Sequence, residues 1–472
     1  MFTTDLKRGT GVAMLTISMS SILSLLTGYL GSSARIVLER ERPLIIALTG
    51  SVGKSTSRQC VGAVLGGSLE YREGLRVPTK NYNNQLGVPL TIFALPAPGR
   101  SPVRWVKLLW RATCGRFGLW RTGAKTFVLE MGADHPGDIA YLTSLARPSI
   151  SVVTAVTPED PNWAPVHAAN YPTINDLAHE KATLVRALPT NGTMVLNADD
   201  PRVLAMRSEA PTAQLITFGT AESADVRILS MRIRTEDTSA GAMPTGLEVE
   251  LRVLQQKQTV VVEGVFGRSV AYALAASAAV GLALDISTSE MAEGWKQIRP
   301  LPGRTRLIPG VKKTMLFDDS YNASPVAVLA ALRDLASVEV DQGKQRTIAC
   351  LGEMRELGPS AEMLHAEIGK QAAQLGIDVL AVTGAFAEAY RRGALEGGMT
   401  EDRVRIFADT PELGEWVQDI LRPGDLVLAK ASEGGHHTKG VRMERVIKEL
   451  MAEPAQAETL LCRQEHVWQT RA

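Results

Sequence analysis

The sequence predicts an α/β protein in which mostly parallel sheets are covered by helices. Two observations predict it. Short runs rich in β-branched residues, Thr126 to Glu130, Ile150 to Val156, Thr193 to Asn197, Thr347 to Leu351, Val379 to Thr383 and Leu426 to Ala429, alternate with amphipathic helical patterns. An apolar strand from Leu44 to Thr49 also breaks into a glycine-punctuated turn that opens a helix. With 472 residues, 45% of them hydrophobic, the chain is long enough for two to four domains with real cores.

The chain opens on a segment with two readings. From Gly9 to Ala34 there is no charge, and Lys7 and Arg8 before it and Arg35, Arg40 and Arg42 after it flank an apolar run long enough to span a bilayer. Thr16, Ser18, Ser20, Ser21, Ser24 and Thr27 dilute that run, while Leu15, Met19, Ile22, Leu26 and Tyr29 recur as one helical stripe. A membrane span or interfacial anchor through residues 9–34, and a short apolar helix packed on the body of the protein or on a partner, are both consistent with this pattern.

The segment Thr49-Gly50-Ser51-Val52-Gly53-Lys54-Ser55-Thr56 then has the chemistry of a phosphate cradle. Gly50 and Gly53 let backbone approach an anion, the amides of the following helix start point at it, Lys54 supplies a cation, and the Ser55 hydroxyl can hold Mg²⁺. Leu48 stands where the longer GxxxxGK[ST] loop has its first glycine, so the loop is a short variant. The expected ligand is ATP. The strand ending Leu129-Glu130-Met131-Gly132 places Glu130 at a carboxyl strand end, where open α/β sheets bind ligands and where it could reach the same Mg²⁺. Next, His167, Asp176, His179 and Lys181 read by spacing alone as polar residues on the exposed face of a helix. The stretch Ala224 to Gly264, with alternating Val, Leu and Arg, predicts an antiparallel patch, and Pro300 to Gly303 a hinge.

Charge and cysteine content narrow the function classes. Lys and Arg total 51 against 50 Asp and Glu, a net charge of +1 that gives no electrostatic case for nucleic-acid binding. Cys60, Cys114, Cys350 and Cys462 lack the spacing of a zinc site or a disulfide framework, which fits a reducing cytoplasm.

Together these motifs resemble the Mur ligases, most closely their D-alanyl-D-alanine-adding type, from about Leu44 to about Leu450. Thr49 to Thr56 is similar to the family's TGxxGK[ST] loop, Thr79 to Pro89 to its TxxNxNNxxGxP element, and Glu130-Met131-Gly132 to its ExG strand end. His167 and Lys181 reproduce the spacing of its metal-linked histidine and carbamylated lysine. Asn197 to Pro201, Gly303-Arg304, Asp318 to Pro325, Leu351 to Gly358 with His365, and Lys430-Ala431-Ser432 follow in family order. The resemblance implies a central ATP-binding domain over residues 43–302, with a phosphate-binding loop and a mostly parallel sheet, and a Rossmann-like C-terminal α/β domain over 303–472. Residues 1–42 precede them as the apolar helix. It further implies a ligase that forms an amide through an acyl phosphate, joining an amino acid or dipeptide to a peptidoglycan-precursor-type carboxylate.

The implied roles follow residue by residue. Thr49 to Thr56 would cradle ATP, Lys54 would stabilise the transferring phosphoryl group, and Ser55 and Glu130 would ligate a first Mg²⁺. His167 and the carbamate of Lys181 would hold a second. Arg304, Asp319, Tyr321 and Asn322 would meet ribose and adenine, while Asn81, Asn83, Asn84, Lys430 and Ser432 would contact the acyl and amine substrates. Departures also stand out. Tyr272 occupies an asparagine position, Thr157 to Trp163 is an insertion, Glu433 replaces the expected arginine, and the family's nucleotide-sugar domain has no counterpart before the cradle. The acyl substrate is therefore expected to be either a small-molecule or a lipid-linked peptide, with the protein in the cytoplasm or attached to the inner face of the membrane. Two alternatives stay open: a catalytically weakened scaffold subunit, and an ATPase or kinase of other specificity.

Overall fold

The computed structural model describes residues 19–156, 170–338, 345–433, 441–465 and 468. The first half is a nine-stranded sheet. Its strands are β1 (Leu44–Thr49), β2 (Leu75–Arg76), β3 (Thr126–Glu130), β4 (Ile150–Val153), β5 (Thr193–Asn197), β6 (Gln214–Gly219), β7 (Val226–Thr238), β8 (Gly241–Val253) and β9 (Gln256–Glu263), in spatial order β2-β3-β1-β4-β5-β6-β7-β8-β9. Pairing is parallel from β2 to β7 and antiparallel from β7 to β9. The sequence explains the change. β3, β4 and β5 are buried along their whole length, as strands covered on both faces must be, whereas the long β7–β9 ribbon mixes buried and exposed positions and keeps one face wet.

Helices of this half are α1 (Met19–Glu41), α2 (Lys54–Gly67), α3 (Gly87–Phe93), α4 (Pro102–Arg116), α5 (Asp138–Leu145), α6 (Ile174–Arg186), α7 (Pro201–Ala205), α8 (Arg268–Ala283) and α9 (Thr288–Trp295). The alanine-rich α8 and α9 hold α2, and hence the cradle at its start, from behind. A Cβ on Gly294 would lie 2.3 Å from the Ala63 carbonyl oxygen, so only glycine permits the α2–α9 crossing.

The second half is a six-stranded sheet of order β10-β11-β15-β12-β13-β14. Its strands are β10 (Arg306–Gly310), β11 (Thr314–Asp318), β12 (Thr347–Leu351), β13 (Val379–Thr383), β14 (Val404–Phe407) and β15 (Leu426–Lys430); only β10 runs antiparallel. Helices α10 (Pro325–Ala336), α11 (Ala361–Gln374), α12 (Ala387–Glu396), α13 (Thr410–Ile420) and α14 (Met443–Leu450) cover both faces. Contacts at two ends of the first sheet help couple the halves. Gly264 and Phe266 pair with Leu307 and Thr305 through backbone hydrogen bonds of 2.8 and 3.0 Å, and Phe266 packs on Phe317. At the tip of the β7–β8 ribbon the buried Gln345 amide donates to the carbonyls of Ala242 and Gly424 at 3.0 and 3.1 Å.

No described helix is long and apolar enough to cross a membrane. Residues 9–18 of the predicted span lie outside the described residues. In α1 the buried stripe is Leu30, Ala34, Val37 and Leu38, set against Phe93, Leu108, Phe127 and Leu142, and it lies beyond the stripe expected from the sequence, of which Ile22 is exposed. The C-terminal half of α1 is thus part of the protein body. Replacing Leu30 by Ala should cost about 2–5 kcal/mol in urea unfolding of the full chain. Leu25→Ala, on the exposed first turns, should change stability by less than about 0.5 kcal/mol.

Candidate active site

The cradle forms because β1 ends where its neighbours force a tight turn. Gly50 has φ 151° and Gly53, the residue that caps α2, has φ 82°. A Cβ on Gly50 would stand 1.9 Å from the Thr154 hydroxyl, which itself donates to the Val52 carbonyl at 2.6 Å and ties the turn to the end of β4. Ser51 N donates to Ala155 O at 2.6 Å from the same strand end. The α2 amides that open the helix therefore face one point, an arrangement suited to an anion.

Charge converges on that point. Lys54 Nζ donates to Gly50 O at 2.6 Å; burial pushes its pKa below the usual lysine range, Arg304 lowers it further, and Glu130 and Asp134 raise it. Ser55 Oγ lies 2.9 and 3.2 Å from the two oxygens of Glu130 and 3.1 Å from Asn81 Oδ1. These three side chains present hard oxygen donors of the kind Mg²⁺ prefers, and Mg²⁺ commonly takes one or two protein ligands with the rest from phosphates and water. The donor set fits the ion. Arg58, one helical turn after Lys54 and unassigned from the sequence, lies 3.4 Å from Glu130 and donates to Lys80 O at 2.9 Å. Its i, i+4 spacing from Lys54 on a helix was the available signal.

Lys181 on α6 is only 1% exposed. Its expected position on an exposed polar face is corrected here: α6 turns Leu177, Leu184 and Val185 inward, and Glu180 and Lys181 lie within the same buried arc. Burial drives the Lys181 pKa well below the ordinary value, and the positive charge of Lys54 adds to that shift. No carboxylate ion-pairs with Lys181 among the described residues. Glu180 is committed elsewhere, accepting from Gly137 N and Ile139 N at 2.9 and 2.8 Å at the start of α5. Asp176 completes a capping box with Thr173. His167 lies outside the described residues, as does the insertion Thr157 to Trp163.

The second half brings further predicted residues to the cradle and commits others to structure. The Arg304 guanidinium stacks 4.2 Å from the Tyr321 ring centre, and both residues act electrostatically on the cradle side, Arg304 on Lys54 and Arg58 and Tyr321 on Arg58. Arg463 stacks on Tyr321 as well, at 5.1 Å, and salt-bridges buried Glu444. Lys430 and Asp319, expected to meet different ligands, pair with each other; Lys430 also donates to the Asn322 carbonyl at 3.0 Å. Ser432 Oγ donates to Ala323 O at 2.8 Å and accepts from Arg355 N at 3.0 Å. Asn84 Oδ1 accepts from Gly87 N at 2.9 Å in the turn before α3, and Asn83 accepts from Gly132 N at 2.8 Å through its carbonyl. Tyr272 donates to Asp199 at 2.8 Å; burial, and then this bond, push its phenol pKa up to about 12. His365, part of a matched motif, is wholly buried, accepts from Met354 N and stacks on Phe386, which makes it a core residue.

Known proteins resemble this chain in sequence and in fold. A family model described as Mur ligase middle domain matches residues 48–281, and one described as Mur ligase, glutamate ligase domain matches residues 303–433. The UDP-N-acetylmuramoyl-tripeptide--D-alanyl-D-alanine ligase of Mycobacterium bovis is 32% identical over 409 residues, 82% of this chain and 70% of that protein. Its Bacillus subtilis counterpart is 26% identical over 421 residues, 89% of this chain and 79% of that protein. Among solved structures, the MurF ligase of Thermotoga maritima in complex with ADP superposes with a TM-score of 0.67 at 22% identity, covering 96% of this chain and 88% of that one; MurF from Acinetobacter baumannii gives 0.65. The phosphate turn at the end of β1 thus sits in the first of two ligase domains matched in order along most of the chain, and the protein belongs to the Mur ligase family.

Proposed function

We propose that the protein is an ATP-dependent, ADP-forming ligase that adds a D-alanyl-D-alanine-like dipeptide or an amino acid to the carboxylate of a peptidoglycan precursor. The observation that carries this reading is the pair Lys54, half-buried, and Lys181, fully buried, both depressed by desolvation, with the charge of Lys54 lowering Lys181 further and no carboxylate in ion-pair contact with either among the described residues. Such a pair calls for a polyanion, and the triphosphate of ATP is one. ATP as co-substrate places the reaction in the cytoplasm.

In the reaction, a carboxylate oxygen of the acyl substrate attacks the γ-phosphorus and the bond to the β-bridging oxygen breaks, releasing ADP and leaving an acyl phosphate. The amine nitrogen then attacks the acyl carbon, phosphate departs, and the nitrogen loses a proton. The α2 amides and Lys54 hold the β- and γ-phosphates and offset the charge that spreads over the transferring group. Ser55 and Glu130 would hold Mg²⁺, which supplies Lewis-acid neutralisation of the phosphate oxygens. Arg304 and Tyr321 close over the nucleotide from the second half, so the site is complete only when both halves meet.

Lys181 has the chemistry for carbamylation. Burial favours its neutral amine, whose lone pair can attack CO₂ to give an N-carboxylate and release a proton. The product is an anion beside Lys54, which turns repulsion into attraction and supplies oxygens that, with His167, would hold a second Mg²⁺.

Three measurements test this reading. ATP-dependent phosphate release should require both the acid and the amine; release that needs neither would indicate a plain ATPase, and no release a binding subunit. Lys54→Ala should lower kcat by about 10²-fold or more with an unchanged melting temperature, since its contribution lies in the transition state. For Lys181, the folded pKa lies below the unfolded one, so between the two values the unfolded chain binds more protons and wild-type stability must rise with pH. In bicarbonate-free buffer Lys181→Met should therefore be more stable than wild type at pH 7, by about 1–4 kcal/mol, with the gap narrowing towards pH 10. The same variant should be inactive, whereas in wild type added bicarbonate should raise activity.

A further inference from the structure

Helix α4 carries more apolar surface than the fold uses. Leu108 and Ala112, with Trp105 and Leu109 beside them, form the face set against the protein. Val103, Val106 and Trp110 follow at i, i+3 and i+7 on the opposite face and are 77%, 68% and 69% exposed. A surface helix needs one apolar stripe, and α4 has two. Just after it Phe117 and Leu119 are exposed as well, at 72% and 80%. Alongside runs α1 in the same direction, with Tyr29 bonded to Thr113 at 2.7 Å and Ser32 to Arg116 at 3.1 Å, and its first turns present exposed Ile22, Leu23 and Leu25 at the end of the pair where Val106 and Trp110 stand. Eight of the fourteen large hydrophobic side chains exposed among the described residues belong to this one region, which sets it apart from ordinary scattered exposure.

The charge of the region is one-sided. From residue 74 to residue 129 the chain has nine Lys and Arg and no Asp or Glu. Arg100, Arg104, Lys107 and Arg121 are exposed and have no carboxylate partner among the described residues, and Arg104 and Lys107 border the outer stripe of α4. A second copy of the chain meeting this face across a two-fold axis would oppose like charges. Residues 1–18 carry Asp5 against Lys7 and Arg8 and so bring no complementary charge. An anionic bilayer complements both properties at once: its headgroups pair with the bases, and its interfacial zone takes up Val, Leu, Phe and Trp side chains.

We propose that the outer face of α4, with Phe117, Leu119 and the first turns of α1, is a docking surface for an anionic lipid bilayer, on which the protein lies without spanning it. This inference does not depend on the ligase reading. Its test is co-sedimentation of the full chain with vesicles of phosphatidylcholine alone and of phosphatidylcholine mixed with phosphatidylglycerol. Partition onto the anionic vesicles should be at least about tenfold stronger and should fall with added salt. Trp110→Glu and the double variant Arg104→Glu/Lys107→Glu should each lose about tenfold of that partition while keeping the wild-type melting temperature, because these side chains are exposed and make no buried contact. Absence of binding, equal binding to the two vesicle types, or undiminished binding by Trp110→Glu would overturn the proposal. So would a lipid-free dimer, seen by light scattering, that Trp110→Glu dissociates.

Discussion

Glu130 is the carboxylate around which the cradle is built. It stands at the end of a fully buried strand, 1% exposed, bonded to Ser55 and paired with Arg58, and it is the largest favourable influence on the Lys54 charge. A carboxylate in that position would ordinarily be costly. Here it is surrounded by a hydroxyl, a guanidinium and a lysine, so the anion and its cations make one another tolerable. The desolvation that depresses Lys181 is met by no carboxylate in ion-pair contact among the described residues, and it is what leaves the site poised for an anionic ligand. Stability is given up at the place where the chemistry needs unspent positive charge.

Rigidity behind the cradle makes that concentration of charge possible. Helix α2 is held by α9 at a glycine crossing that admits no side chain, and by the alanine-rich α8, so Lys54, Ser55 and Arg58 ride on one fixed element. The second half meets the site through polar side chains: it brings the stacked Arg304, Tyr321 and Arg463, and Glu465 pairs with Lys80 at 2.8 Å. A fixed phosphate cradle and a second half that meets it through polar side chains suit an enzyme that must admit its substrates and then close over them.

Much of the fold was legible because it is written in contiguous residues. The strands at Thr126, Thr193, Thr347 and Val379 stand where the apolar runs predict them, and the antiparallel patch between Ala224 and Gly264 is the β7–β9 ribbon. The run from Ile150 continues only to Val153, because Thr154 turns its hydroxyl onto the cradle backbone. Strands β6, β10, β11 and β14 carry weaker local signals and form because a neighbouring strand offers them a ladder. At the site, motif order singled out Lys54, Ser55, Glu130 and Lys181, which the fold gathers near the end of β1, but could not tell which of the matched residues are spent on structural contacts. His365 stacked on Phe386 and the Lys430–Asp319 pair are contacts between residues distant in sequence, whose proximity no local pattern announces.

By itself, then, the sequence determined the alternation of strand and helix and the phosphate cradle, because backbone conformation at Gly50 and Gly53 and the amides of a helix start depend on residues next to one another in the chain. Only the tertiary structure decided which charges lose their water. Lys181 on α6 looks like a solvated lysine until the body of the protein closes around it, whereas the apolar Trp110 on α4 is left 69% exposed. Solvation is a property of everything within a few ångströms of a group, and most of those neighbours come from distant parts of the chain.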